Sequence, residues 1–408
     1  MGLSAGQRRR GVAVLLANSG LMTAGFFLLI PLLSVHLTRD LGFSGAAAGA
    51  VLALRQLTQQ GLMVAGGALA DRVGYRRVIA VGLFVRALGF FGFSLGDSLA
   101  VIVVAATVTA VGGALFEATG KAALAELAPP AERPRLFGLS AFAAGAGTTI
   151  GPLLGIVLLP YGFALVGAAA GTCFLVAFVL SACLLPSPPE ASPGAGGQAR
   201  PALRHTLGAI AGQRTFLVFT ALLSGYWLLH NQVYIAVPLR AVQVTGGADV
   251  IGLLYVVNAG AGLLLQYPLV HLASRRLSPA AAVAAGVAAM GGGLGLMACL
   301  DLGVAPVAVM VASMVVFAAG RALVEPMKDV VTASFAPPDA LAAFFGLAFL
   351  SLAVGGSAGN YLGGWLFDVA TASGRHAIPW IAFALLGLAV AAGLLRFARA
   401  TDGRRLTS

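Results

Sequence analysis

Residues 67–77 read GALADRVGYRR and join two long apolar stretches of the chain. The segment carries the acid Asp71 and the arginines Arg72, Arg76 and Arg77, and it is too short to fold as a domain. Short loops that are rich in arginine stay on the cytoplasmic side of a bilayer. The segment therefore predicts that the apolar stretches before and after it cross a membrane, and it predicts their direction.

Composition leads to the same class of protein. The 408-residue chain is 59% hydrophobic and 10% charged, and its mean hydropathy is +0.95. A chain that is apolar almost end to end is typical of membrane proteins and excludes a water-soluble fold. The net charge of +11 does not indicate nucleic-acid binding, because the arginines lie between apolar runs and form no basic stripe with aromatic residues.

The cysteines and the N-terminus add two expectations. Cys173, Cys183 and Cys299 lie far apart inside apolar stretches, so we interpret them as packing residues and expect neither a metal site nor a disulfide. The apolar run after Arg10 is too long for a signal peptide and is interpreted as the first membrane span.

The length of the apolar runs predicts an all-α polytopic membrane protein with twelve transmembrane helices, since each span needs about 20 apolar residues. Most loop arginines fall in alternate, predicted cytoplasmic segments, whereas the predicted outer loops carry Arg39, Arg240 and Arg375. This asymmetry predicts that both termini are cytoplasmic. The predicted spans are 11–38, 43–70, 77–95, 99–122, 135–160, 163–185, 214–239, 249–272, 278–299, 303–328, 341–369 and 378–398.

An internal repeat divides the spans into two pseudo-symmetric six-helix bundles. A shift of 208 residues carries Glu117 to Glu325 and carries the glycines 147, 151 and 155 to the glycines 355, 359 and 363. We predict an N-terminal bundle at 1–185, a cytoplasmic linker at 186–213, and a C-terminal bundle with a short tail at 214–408. The linker is assigned from its Pro-Pro and Gly-Gly pairs. Paired bundles of this kind are typical of secondary transporters.

The segment 67–77 also fits the pattern G-x-L-x-D-R-x-G-x-R-R, which resembles the signature loop of the major facilitator superfamily. The match holds at Gly67, Leu69, Asp71, Arg72, Gly74, Arg76 and Arg77, and Tyr75 departs from it. The resemblance implies a twelve-helix secondary transporter. It also implies that Asp71 belongs to an inner gate, the alternative being an acid in a solvated loop.

The fifth predicted span carries a second pattern, G-x-x-x-G-P-x-x-G, which resembles the antiporter branch of the superfamily. It is formed by Gly147, Gly151, Pro152 and Gly155. Glycines four residues apart give a flat helix face for close packing, and a proline kinks the helix. The pattern favours an antiporter, and ordinary helix packing is the alternative.

Several short runs resemble the MdtH-type multidrug exporters of the same superfamily, and this resemblance covers most of the chain. The chain departs from it at Lys121 and Lys328, where arginines are expected. The resemblance implies efflux of drugs coupled to protons. The matching runs lie at residues 54–61, 116–117, 324–326 and 363–368.

Arg55 is the strongest candidate for a functional residue on physical grounds. It lies near the centre of the second span beside Gln56 and Gln59, where a charge costs about 2.5–3.5 kcal/mol on insertion scales. It must therefore face a cavity or a partner. Glu117 could reach it, an anionic group of the substrate could bind it, or it could bridge helices as a structural residue.

Glu117 with Lys121, and Glu325 with Lys328 and Asp329, occupy equivalent places on the fourth and tenth spans. Burial would make such a glutamate a proton carrier, whereas nearby cations would keep it in an ionic gate. We favour the inner gate for Glu117 and leave both roles open for Glu325.

The seventh span is unusually polar and aromatic, with Tyr226, His230 and Asn231. These side chains could line a substrate cavity together with Thr23 and Asn258, or anchor the span at the interface. His230 is a third candidate for proton coupling.

The leading hypothesis is a proton-coupled exporter of small lipophilic drugs or toxic compounds that works by alternating access. Its expected partners are the substrate, protons and the lipid bilayer, with no nucleic acid, metal or cofactor, and it is expected to be monomeric in the plasma membrane of a bacterium. A substrate-specific permease for a metabolite or organic anion is the alternative, and a sensor that has lost transport is a further one. An enzyme is disfavoured because the chain has no H-E-x-x-H motif and no paired intramembrane aspartates, and the missing phosphate-binding loop excludes ATP as the energy source.

Overall fold

The computed structural model describes residues 4–127, 129, 132–186, 213–302, 305–336 and 341–405. These residues form α-helices joined by short turns, which confirms the predicted all-α class. In chain order the helices are α1 (Ala5–Val35), α2 (Gly45–Val73), α3 (Tyr75–Gly92), α4 (Leu99–Leu127), α5 (Arg133–Leu158), α6 (Phe163–Leu184), α7 (Arg214–His230), α8 (Ala236–Thr245), α9 (Asp249–Arg276), α10 (Pro279–Leu296), α11 (Pro306–Phe335), α12 (Leu341–Ser351), α13 (Ser357–Ser373) and α14 (Ile378–Arg405).

Nine helical segments of the described chain are long and apolar enough to cross a membrane. Three predicted spans are not among them. Helix α2 is made less apolar by Arg55 and the glutamines beside it, and α3 carries three arginines within eighteen residues. The seventh span is divided between α7 and α8, so neither piece has the required length. The count of twelve spans therefore stays a prediction.

The seventh span was predicted as one helix over 214–239, and this is wrong. Helix α7 ends at His230, a 3-10 turn follows at Asn231–Val233, and α8 begins at Ala236. Pro238 explains the break, because proline has no amide hydrogen to donate and its ring clashes with the carbonyl group of the residue four positions earlier in a continuous helix. In the new helix Pro238 falls in the first turn, where a proline is tolerated.

The eleventh span is also less regular than predicted. Helices α12 and α13 are joined by a π-helical turn at Leu352–Gly356, and α13 continues to Ser373, beyond the predicted end at residue 369. Two of the five residues in the turn are glycines, which tolerate the altered backbone geometry.

Contacts divide the chain into two compact units. Unit 1 comprises Met1–Leu41 and Leu54–Ala199, and unit 2 comprises Gly42–Ala53 and Arg200–Ser408. Helix α2 thus contributes its first residues to unit 2 and the rest to unit 1. The predicted linker lies almost wholly outside the described residues, so the predicted domain boundaries stay a prediction.

In unit 1, helix α3 packs against α4 and α6, and α1 packs against α5 and α6. The turn between α2 and α3 requires Gly74, whose φ of +88° is rarely adopted by residues with a side chain. Immediately after it, the Tyr75 hydroxyl donates to the carbonyl of Pro186 at 3.2 Å, and Arg76 Nη2 donates to the carbonyl of Ala182 at 2.5 Å. The segment 67–77 therefore satisfies one carbonyl group in the last turn of α6 and one just beyond the end of that helix.

Tyr75 is suited to this capping role by its environment. Burial, reinforced by the nearby Glu126 carboxylate, raises the pKa of Tyr75 to about 12. The phenol therefore keeps its proton at neutral pH and remains a hydrogen-bond donor.

In unit 2, α10 packs against α11 and α14, and α9 packs against α11. The Asp368 carboxylate on α13 accepts hydrogen bonds from the amides of Gly45 and Ala46 at 2.7 and 2.8 Å. These amides begin α2, where backbone donors lack partners within the helix and a carboxylate is favourable. Asp368 therefore acts as a helix cap in this unit.

Candidate functional site

In unit 1 a chain of hydrogen bonds leads from Arg55 to Glu117. Arg55 Nη1 donates to Gln59 Oε1 at 3.0 Å, and Gln59 Nε2 donates to Glu117 Oε2 at 2.6 Å. Arg55 Nη2 also lies 3.4 Å from Gln56 Oε1, and its guanidinium lies 4.9 Å from the centre of the Phe26 ring. Each of the three polar residues on α2 is less than 10% exposed. The buried charge of Arg55 is thus connected to a carboxylate through the neutral Gln59.

A second buried cation, Arg86 on α3, lies beside this chain. Its guanidinium is 5.8 Å from the centre of the Phe26 ring and 5.1 Å from that of Phe174. Arg86 interacts electrostatically with Glu117, yet its Nε is buried without a hydrogen-bond acceptor in the described part of the chain. We call Arg55, Gln59, Arg86 and Glu117 the Glu117 cluster. In it, two guanidinium groups share one described carboxylate.

Unit 2 contains a directly paired cluster at the equivalent position. The Tyr226 hydroxyl on α7 donates to Glu325 Oε1 on α11, and Lys328 Nζ lies 2.9 Å from Glu325 Oε2. Lys328 Nζ is also 3.1 Å from Asp329 Oδ1 and 5.8 Å from the centre of the Trp227 ring. We call Tyr226, Glu325, Lys328 and Asp329 the Glu325 cluster. It links α7 to α11 through a carboxylate that is held by a hydroxyl group and an ammonium group.

His230 lies among aromatic side chains next to the Glu325 cluster. Its ring centre is 5.2 Å from that of Trp227, 5.9 Å from Tyr226, 6.0 Å from Tyr234 and 6.4 Å from Phe317. Its Nδ1 is buried and has no hydrogen-bond partner among the described residues. We call these five residues the aromatic cluster. It offers ring surfaces and one unused polar atom.

The other residues predicted to line a cavity have mixed surroundings. Asn231 is 1% exposed and its amide donates to the carbonyl of Gly356 at 2.7 Å, so it joins the seventh and eleventh spans. Thr23 donates to the carbonyl of Ser19 in its own helix at 2.7 Å. Asn258 is 8% exposed, and its Oδ1 has no partner within the described ranges. Contact of any of them with substrate stays a prediction.

The residues assigned to the gate are only partly placed. Arg72, Arg77 and Lys121 are exposed, and the side chain of Asp71 lies outside the described residues. A Cβ on Gly67 would meet no described heavy atom within 4 Å, whereas one on its neighbour Gly66 would lie 2.6 Å from the carbonyl oxygen of Ala114. Gly66, and not Gly67, thus lies in close contact with α4. A gate role for the segment 67–77 stays a prediction.

The glycines of the antiporter pattern lie on the face of α5 that contacts α1. A Cβ on Gly147, Gly151 or Gly155 would lie under 3.0 Å from a backbone oxygen of α1, belonging to Gly20, Ala24 and Leu28 respectively. The pattern is therefore explained by close helix packing, which was the alternative interpretation. Its link to antiport stays a prediction.

Arg86 and Arg321 were not among the predicted site residues. Both are cations inside predicted spans, the same signal that identified Arg55. Arg321 Nε is buried without a partner in the described chain, and its Nη2 would lie 2.7 Å from a Cβ on Gly262. The signal was therefore available for both.

No group of three His, Cys, Asp or Glu side chains that could hold a metal ion occurs among the described residues.

The sequence profile of the Major Facilitator Superfamily matches residues 15–247, more than half of the chain. This chain belongs to the major facilitator superfamily. It is 31% identical over 382 residues to the multidrug resistance protein MdtH of Cronobacter sakazakii, covering 93% of this chain and 92% of that relative. It is 30% identical over 395 residues to MdtH of Yersinia pestis, covering 97% and 96%.

Solved structures of other transporters share the fold. A peptide transporter of the POT type in complex with sulfate has a TM-score of 0.77 at 15% identity, covering 96% of this chain and 95% of that one. A mutant form of the nucleoside transporter NupG has a TM-score of 0.78 at 15% identity, covering 95% and 99%. At these identities the likeness shows the fold alone. The chain is a secondary transporter with several membrane-spanning helices.

Proposed function

We propose that this transporter exports small lipophilic drugs or toxic compounds in exchange for protons, by alternating access. The observation that carries the proposal is identity of about 30% to proteins named for multidrug resistance, over more than 90% of both chains. The transporter works as a monomer in the bacterial inner membrane, with both termini in the cytoplasm and without a cofactor.

The aromatic cluster supports lipophilic cargo. Lipophilic ligands bind sites that are lined by rings and that carry a few polar groups to fix orientation. Trp227, Tyr234 and Phe317 supply rings, and His230 Nδ1 supplies a polar atom without an internal partner among the described residues. In this proposal the cargo stacks on these rings and accepts or donates one hydrogen bond.

Glu325 is the proposed proton carrier. Its carboxylate joins α7 to α11 by accepting from the Tyr226 hydroxyl, and it pairs with Lys328 on its own helix. Protonation would remove the negative charge that both the Tyr226 hydroxyl and Lys328 stabilise, so the hydrogen bond between the two helices would weaken. Gain and loss of one proton would then be coupled to a change in how these helices pack. Glu117 and His230 are the alternative carriers.

The test is drug-evoked proton release from the acidified lumen of everted membrane vesicles. We expect lipophilic drugs to cause release with the wild type and at least tenfold less with Glu325→Gln. Glu132→Gln is the matched control, because it removes an exposed acid at the start of α5. Normal release from Glu325→Gln would refute Glu325 as the carrier. No response to a broad drug panel, with folded protein in the membrane, would refute multidrug export.

A permease for an organic anion is the second candidate. It is favoured by the Glu117 cluster, where Arg55 and Arg86 leave an excess of positive charge over the described carboxylate. Transport that requires a carboxylate on the substrate would distinguish it from export of neutral or cationic drugs.

A further inference from the structure

A buried histidine in unit 1 lies outside both glutamate clusters. His36 begins the π-helical turn His36–Asp40 that follows α1, and it is 8% exposed. Its ring stacks on that of Phe163 at the start of α6, with the ring centres 3.8 Å apart and an angle of 8° between the planes. Buried polar atoms need hydrogen-bond partners, and at His36 these partners are carboxylates.

The two ring nitrogens of His36 face carboxylates from different parts of the chain. Nδ1 lies 2.8 Å from Asp40 Oδ2 in the same turn, and Nε2 lies 3.6 Å from Asp97 Oδ1 in the turn between α3 and α4. Arg39 is the remaining charged residue of the turn after α1 and is exposed, while α6 contributes the uncharged Phe163 ring. The imidazole of His36 therefore lies between two acids.

The chemistry of imidazole makes this arrangement depend on a proton. A neutral ring has one N–H group, so it can donate to one carboxylate only, and its other nitrogen turns a lone pair toward the second acid. A protonated ring donates from both nitrogens and carries a charge that attracts both acids. Asp40 belongs to the same turn as His36 and orients the ring, whereas Asp97 connects the ring to a different pair of helices.

We propose that His36 is a proton-binding site, and that the protonated ring ties the end of α1 to the turn between α3 and α4. The site is separate from Glu325, the carrier proposed above, which belongs to the other unit. Only the side of the membrane rests on the proposed function. With both termini in the cytoplasm, α1 ends at the outer surface, from which a proton-driven exporter takes up its protons.

The test is the thermal unfolding midpoint of the purified full-length protein in detergent, measured at about pH 5.5 and about pH 8, on either side of the usual titration of imidazole. Asp97→Asn keeps the shape of the side chain and removes its charge. We expect it to lower the midpoint by about 2 °C at the acid pH and to leave it unchanged at the alkaline pH. The effect is small because the Asp97 side chain is 72% exposed. In a His36→Gln background, Asp97→Asn should have no effect at either pH.

A matched control comes from a second histidine. His271 is exposed on α9, stacks on Tyr267 and has no carboxylate partner in the described chain. In a His271→Gln background, Asp97→Asn should therefore still lower the midpoint at the acid pH alone.

Histidine nitrogen NMR measures the proton directly. The signal of His36 in histidine-labelled protein is assigned by its loss in His36→Gln. It should show both ring nitrogens protonated at about pH 5.5 and one at about pH 8.

Three results would overturn the proposal: an equal effect of Asp97→Asn at both pH values, an effect that persists in His36→Gln, or a His36 ring in one protonation state at both pH values. If His36→Gln does not fold, the comparison of Asp97→Asn with the wild type at the two pH values decides. These measurements need no proton gradient, so they are independent of the vesicle experiment. An acid-dependent effect in a protein that exports no drug would sustain this site and reject multidrug efflux. Drug export by a protein in which the effect does not depend on pH would reject this site alone.

Discussion

The Glu117 and Glu325 clusters occupy positions related by the 208-residue repeat, yet they neutralise the same acid in different ways. Glu325 pairs directly with Lys328 at 2.9 Å and accepts from Tyr226. Glu117 is connected to Arg55 through the neutral Gln59 by the hydrogen bonds of the described residues. The comparison teaches that the repeat preserved the acid and not its partners. In the Glu325 cluster the carboxylate forms a direct ion pair, whereas in the Glu117 cluster one described carboxylate interacts with two guanidinium groups and forms no direct ion pair among the described contacts.

The guanidinium groups extend this comparison. The 208-residue offset carries Gly113 to Arg321, so a glycine and an arginine occupy equivalent positions on α4 and α11. In unit 1 the guanidinium of Arg86 lies against Gly113, and in unit 2 the guanidinium of Arg321 lies against Gly262. In each unit a guanidinium group therefore packs against a glycine. The arginine lies on α3 in unit 1 and on α11 in unit 2, and these two helices are not equivalent by the repeat.

The largest expected effect comes from removing one partner of the direct ion pair. Lys328→Met leaves Glu325 without its direct counter-ion, and breaking a fully buried pair costs about 3–5 kcal/mol. The side chains of Lys328 and Glu325 are 14% and 33% exposed, so we expect a smaller loss of about 2 kcal/mol. Arg55→Met should disturb Glu117 less, because Gln59 lies between them. Thermal unfolding in detergent compares the two variants.

Double-mutant cycles provide the control. Adding Glu325→Gln to Lys328→Met should recover much of the lost stability, since no uncompensated charge remains. The same cycle with Arg55→Met and Glu117→Gln should show a smaller coupling energy. Equal coupling energies in the two cycles would show that the clusters are electrically alike and would contradict the comparison.

Equivalent rows of glycines, one on α5 and one running from the π-helical turn into α13, also differ between the units in how they pack. Gly147 contacts Gly20 on α1, and the offset would place the equivalent contact of Gly355 at Leu228. Gly355 instead contacts Ser224, four residues earlier, and the next two glycines are displaced by the same four residues. Four residues are about one helical turn. The row is thus preserved while its register differs, beside the π-helical turn at Leu352–Gly356.

Substitution by alanine should be costly in both rows. A Cβ on Gly151 or Gly359 would lie under 3.0 Å from a backbone oxygen of the facing helix, at Ala24 and Leu228 respectively. Because backbone must move to accept it, we expect Gly151→Ala and Gly359→Ala each to lose about 1–3 kcal/mol, the usual cost of overpacking. Thermal unfolding midpoints measure the loss.

The repeat also supplies matched controls for this experiment. Gly138 and Gly346 are equivalent by the same offset, and a Cβ on either would meet no described heavy atom within 4 Å. Gly138→Ala and Gly346→Ala should therefore leave the midpoint unchanged or raise it slightly, since alanine favours helix. Equal changes of the unfolding midpoint in all four variants would show that the glycines are not needed for close approach of the helices.

The fold and family were predictable because they depend on signals that are local in sequence. Apolar length indicates a protein with several membrane-spanning helices, and the segment 67–77 indicates the superfamily. The break in the seventh span was not predicted, because apolar length does not show where a helix is interrupted; Pro238 is the local signal for it. The partners of Glu117 and Glu325 were only partly predictable. Lys328 is near Glu325 in sequence, whereas Gln59 and Tyr226 come from other helices, and their approach depends on packing.

The smallest expected effect concerns how the two units begin equivalent helices. Helix α3 starts after Gly74 at a φ of +88°, with no side-chain cap, whereas α10 starts after Ser278, whose hydroxyl accepts from the amide of Ala281 at 3.4 Å. Gly74→Ala should cost about 1–2 kcal/mol, because a side chain is strained at that backbone geometry. Ser278→Ala loses only a cap bond and should cost at most about 1 kcal/mol. Thermal midpoints that place Gly74→Ala at or above Ser278→Ala would show that the signature glycine is not required by backbone conformation in this turn.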